Sequence, residues 1–158
     1  SAAESGFDNC DINLLIVEIF KCHRDGQFKK GGLKMATRKK TIHWLDDVEE
    51  HDYPAAESYL CLIYDTKQAK KIVSKLRKTS IVQFKAKDIF RASSLSLLGV
   101  SNSHVEKDSK KIAAGTALSP LLLVRDSALG KVVIADGYHR MCAIYTVDED
   151  ALIRCKIV

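Results

Sequence analysis

The amino-acid sequence predicts an α+β fold, a small mixed β-sheet with surrounding helices, preceded by an N-terminal helical segment. Three observations lead there. The apolar runs Leu121-Leu122-Leu123-Val124 and Val132-Val133-Ile134-Ala135 are too short for helices and have the character of strands buried on both faces. Segments of helical period stand around them, and capping signals at Asp65 and Ser103 mark where helices open. The chain of 158 residues is 46% hydrophobic and 28% charged, which suits one globular domain with a modest core.

Residues 1–40 read as an N-terminal extension. Residues 10–23 have the apolar content of a helix, with Leu14, Leu15, Val17 and Ile19, and residues 25–32 are flexible in composition. Met35-Ala36-Thr37-Arg38-Lys39-Lys40 resembles a start of translation. Two readings stay open for residues 1–34: an upstream or poorly ordered arm, or a helix packed on the domain or on a second copy.

Residues 41–79 form a helical segment with a basic face. Residues 54–64 suit a helix with Pro54 in its first turn, where the missing N–H costs nothing. Asp65-Thr66-Lys67-Gln68 is an N-cap and capping-box signal. The helix it opens carries Ala69, Ile72, Val73 and Leu76 on one face and Lys67, Lys71, Lys75 and Lys78 on the other.

Residues 80–158 form the main domain. Residues 81–86 read as a strand, and residues 87–92 as a helical turn capped near Asp88. Residues 94–102 have no clean period and form a loop. A capping box at Ser103 opens a helix that stops at Gly115. The two apolar strands follow, joined by a turn at residues 126–130. Residues 138–147 then read as a helix and residues 152–158 as a last strand.

Charge and cysteine content narrow the classes. No apolar run approaches the length of a membrane span, and the candidate at residues 12–20 is interrupted by Asn13 and Glu18. Five cysteines without paired spacing fit reduced thiols in a cytoplasmic protein, and Cys22-His23 has no second ligand pair, so no metal site is expected. The net charge of +5 permits an anionic partner. Eight Lys or Arg and no Asp or Glu lie within residues 66–87. Such a stripe is either a solvated helix face or, through Lys67, Lys71, Lys75 and Lys78, a track for a DNA backbone.

The strongest chemical signal is Val132-Val133-Ile134-Ala135-Asp136-Gly137-Tyr138-His139-Arg140. A strand ends and a helix begins within two residues. Gly137 permits a sharp turn and close approach of a ligand. The first-turn amides and the helix dipole favour an anion there, and His139 and Arg140 add donors. The plain alternative is a strand-to-helix turn whose Arg140 pairs with a local carboxylate.

Three stretches carry a family resemblance: Ala114-Gly115-Thr116-Ala117-Leu118-Ser119-Pro120 running into the first apolar strand, Asp136-Gly137-Tyr138-His139-Arg140-Met141-Cys142-Ala143, and the closing strand. Together they resemble the ParB/sulfiredoxin-like domain, over about half of the chain. The resemblance implies a nucleotide or phosphorylated small molecule, with Mg²⁺, held by Gly137, Tyr138, His139 and Arg140. It implies that Ser119 and Pro120 shape the neighbouring wall and that Lys111 can reach a phosphate. It also raises phosphoryl transfer or nucleotide hydrolysis, with Asp88 or Asp136 handling the proton or metal, and a ParB-like nuclease or a non-catalytic DNA-associated module as further classes. Homo-oligomers fit each of these. Two departures limit it. Tyr138 stands where a sulfiredoxin has its nucleophilic cysteine, and a phenol cannot replace that thiolate. No helix-turn-helix is read within residues 1–158, so partition-type DNA recognition is not expected, and no paired carboxylates of a two-metal site are legible.

Overall fold

A computed structural model describes residues 41–99 and 101–158; the features expected within residues 1–40 lie outside the described residues. The elements are α1 (Asp52–Leu60), α2 (Thr66–Lys78), β1 (Val82–Lys85), α3 (Ala86–Ser93), α4 (Ser103–Ala113), β2 (Leu121–Asp126), β3 (Lys131–Asp136), α5 (Tyr138–Val147) and β4 (Leu152–Ile157). The strands form one sheet in the order β1-β4-β2-β3. β1 runs antiparallel to β4, β4 parallel to β2, and β2 antiparallel to β3. This is an α+β fold on a small mixed sheet.

Side chains alternate across β2 and feed two separate cores, as the period-2 geometry of a strand requires. Leu121 and Leu123 face Ile89 of α3, Val105 and Ile112 of α4, and Met141 and Ile144 of α5. Leu122 and Val124 face Tyr53, Ala56 and Leu60 of α1 and Ala69, Val73 and Leu76 of α2. The central strand is therefore buried on both faces because helices cover both. A register shift between Leu122 and Leu123 leaves Ala135 without an opposite partner, a bulge one residue before Asp136.

Several boundaries differ from the sequence reading for local reasons. α1 begins at Asp52, before Pro54, and ends at Leu60; Asp65, in extended geometry, then caps α2, its side chain accepting from the Gln68 amide at 2.9 Å. α3 begins at Ala86, before Asp88. Its first amides need no side-chain cap, since Ala86 and Lys87 donate to the carbonyls of Ala151 and Glu149, each at 2.9 Å. Asn102, and not Ser103, caps α4, accepting from the amides of His104 and Val105 at 3.0 and 3.4 Å. The strand at β1 is an exposed sheet edge.

Candidate functional site

Gly137 joins β3 to α5 with φ of 96°, in the left-handed region that glycine adopts without strain. The helix then starts at once, and the Met141 amide donates to the Gly137 carbonyl at 2.9 Å. No side chain caps this end. Among the described residues, no protein acceptor meets the amides of Tyr138, His139 and Arg140. The same three residues line a cavity of about 640 Å³, whose wall also includes His51, Asp52, Tyr59, Leu95 and Lys111.

Gly137 is not bare for the benefit of a ligand. A Cβ at this position would stand 2.7 Å from Leu121 Cγ and 3.2 Å from the Arg140 guanidinium. The guanidinium folds back over the glycine, where it donates to Asp136 Oδ2 and, at 3.0 Å, to Asp52 Oδ2. The Ser119 hydroxyl donates to the same Asp52 oxygen at 2.5 Å and accepts from the Glu49 amide at 3.0 Å. One network thus ties the first turn of α1 to Ser119, two residues before β2, and to the β3–α5 turn.

Electrostatics follow from that network. Burial lifts the Asp136 carboxyl above its ordinary range; Arg140 pulls it back, and the Asp52 charge adds to the rise. Burial, helped by neighbouring His104, holds His139 below the usual histidine range. The two imidazoles stack with centroids 4.9 Å apart. The Tyr138 hydroxyl is fixed on the Ser96 carbonyl. Cys142 is fully buried and burial raises its thiol, which suits packing and not nucleophilic attack.

The residues singled out from the sequence fall into three groups. Gly137, Tyr138, His139, Arg140, Asp136 and Lys111 all line the cavity, with Lys111 3.6 Å from Asp108. Ser119 and Pro120 do not; both are buried, and Ser119 acts on the site through Asp52. Asp88 is placed elsewhere, in a smaller hollow with Phe84 and Arg125, and pairs with Arg91 at 3.1 Å. Its position at the start of α3, after the edge strand, keeps it out of the 137–140 cavity. Lys67, Lys71, Lys75 and Lys78 are exposed on α2, and the first three border a shallow hollow of their own.

Sequence reasoning assigned nothing to Glu49, His51 and Asp52, which line the same cavity. A signal was there: five acids and a histidine crowd residues 46–52. Nothing local says that this run meets the Arg140 turn. Compared with known proteins, the chain matches no family model, no curated protein and no solved structure. No helix among the described residues is long and apolar enough to cross a membrane.

Proposed function

We propose that the 137–140 turn binds the phosphate of a nucleotide or phosphorylated small molecule, carried as its complex with a divalent cation such as Mg²⁺. The observation that carries this reading is the uncapped first turn of α5, whose residues line the cavity. The volume lies within the range of small-molecule sites, and Tyr59, Leu95 and Ile134 supply apolar wall of the kind that takes a base. The resemblance of the Asp136-Gly137-Tyr138-His139-Arg140 segment to the ParB/sulfiredoxin phosphate motif supports it further.

The cation follows from charge. Glu49, Asp52, Asp108 and Asp136 line the cavity against Lys111 and Arg140. An uncompensated phosphate would meet an excess of negative charge, whereas a metal complex would not. Binding, and not catalysis, is the activity proposed. Asp136 and the Oδ2 atom of Asp52 are both committed to Arg140, which leaves neither as a ready proton acceptor. Free cysteines at Cys61, Cys142 and Cys155 accord with a reducing cytoplasm.

A ligand-panel melting experiment tests the reading. CTP, ATP or ADP with Mg²⁺, at about a hundred times its Kd, should raise Tm by about 5–10 °C, and His139→Ala and Lys111→Ala should shrink the shift. Arg140→Ala is the wrong probe, because it also breaks the α1 network. Melting unmoved by any nucleotide, with salt-sensitive DNA binding lost on neutralising Lys71, Lys75 and Lys78, would replace this account with the DNA-associated one.

A further inference from the structure

The geometry points to a divalent-cation site formed by Glu49, His51 and Asp52 at the wall of the phosphate cavity. Asp52 Oδ1 lies 3.3 Å from His51 Nε2, and Glu49 Oε2 lies 4.0 Å from the same nitrogen. The three ligand atoms fall within 4.8 Å of one another. Atoms bound about 2.1 Å from a common cation stand roughly 3–4 Å apart, so only a small closing motion is needed. Glu49 and His51 are exposed and able to make it.

A second observation bears on the same point. The Asp52 side chain is only 6% exposed, and its two oxygens are treated differently. Oδ2 receives both Ser119 and Arg140. Oδ1 faces His51 Nε2, its ion-pair partner at 3.3 Å. A cation seated between the imidazole nitrogen and this carboxylate oxygen would take both as ligands. Ser119 and Arg140 fix the carboxylate from behind, as outer-shell partners do for a metal ligand.

One nitrogen and two carboxylates suit Mn²⁺, Co²⁺ or Zn²⁺ better than Mg²⁺, which prefers an all-oxygen octahedron. The site's chemistry stands on these three side chains; its role, to carry the phosphate of a bound ligand, rests on the function proposed above. The two can fail separately.

The test uses the tag-free full-length chain, stripped with EDTA and titrated by calorimetry with Mn²⁺ alone and with Zn²⁺ alone, without nucleotide. Saturable binding of one ion is expected, weakened by about ten- to a hundredfold in both His51→Ala and Glu49→Gln. Both substitutions fall on exposed side chains, and circular dichroism confirms that the variants fold. No saturable binding, or binding that both variants retain at full strength, overturns the site. A second titration with ADP, with and without the metal, separates the two proposals. ADP binding in EDTA without any metal binding sinks the cation site and leaves the phosphate reading. Metal binding without ADP binding supports the site and sinks the phosphate reading.

Discussion

Arg140 donates to Asp52 at 3.0 Å across 88 residues of chain, and the pair is largely shielded from water. A charged residue of the β3–α5 turn is thereby fixed by the helix that covers the opposite sheet face. The relationship changes what Arg140 is for. A guanidinium held by Asp52 and Asp136 is first a clamp, and a ligand at the turn would find only its remaining N–H groups.

Arg140→Ala should therefore destabilise the fold by about 3–5 kcal/mol, since it strands two carboxylates with little access to water. Urea unfolding of Arg140→Ala, Asp52→Ala and the double variant should return a coupling of about 0.5–3 kcal/mol. Additive effects would show that the contact does not hold the network together.

Ser119→Ala removes the 2.5 Å bond to the buried Asp52 carboxylate and the acceptor of the Glu49 amide. A loss of about 1.5–3 kcal/mol is expected for a hydrogen bond to a charged group, measured by the same denaturant midpoint.

Gly137→Ala meets two obstacles, the positive φ and the 2.7 Å approach to Leu121. About 1–3 kcal/mol of destabilisation should follow from the backbone alone. A neutral result would mean that the turn relaxes to a conformation the structure does not have.

These three cases also show how far the sequence could be read. The apolar runs of β2 and β3, the Asp65 cap and the Gly137 turn are local patterns, each fixed by a few neighbouring residues, and they gave the α+β class and the turn at the site. The other half of the site was not legible. Asp52 and Ser119 reach Arg140 only because α1 packs on one sheet face and β2 runs beside β3, and no local rule states that register. Asp88 was misplaced for the same reason: a carboxylate after a strand looks alike whether it faces a cavity or a separate hollow.

Lys156 offers a contrast in how charges are buried. Its ammonium is almost fully enclosed and donates to the Tyr53 hydroxyl at 3.1 Å, with Asp47 at 2.8 Å. Burial pulls its pKa down, but the bonds to Asp47 and Tyr53 outweigh it and the net shift is upward. Asp47 itself is mostly exposed. Lys156→Met should change stability by less than about 1 kcal/mol, because the carboxylate left behind can hydrate. Asp47→Ala should cost more, because the ammonium left behind cannot. Equal effects in thermal melts would reject this asymmetry.

Burial pushes the Cys155 thiol up to about 12 from an ordinary 9.0. The unfolded chain therefore loses this proton first, and between those values the folded state holds more protons. This contribution to stability is fully present below pH 9 and is lost as pH rises toward 12. Cys155→Ala should flatten that part of the pH–stability curve. Peptide mapping after iodoacetamide at pH 8 should find exposed Cys61 modified and buried Cys142 and Cys155 protected until the chain is unfolded.

The central claim concerns backbone amides, and they can be watched directly. In ¹⁵N–¹H correlation spectra, titration with ADP and Mg²⁺ or Mn²⁺'s diamagnetic substitute Zn²⁺ should shift the amides of Tyr138, His139 and Arg140 along saturable curves, with Lys111 moving in step. Resonances of residues 138–140 that stay fixed at saturating ligand, or shifts confined to the lysines of α2, would contradict it.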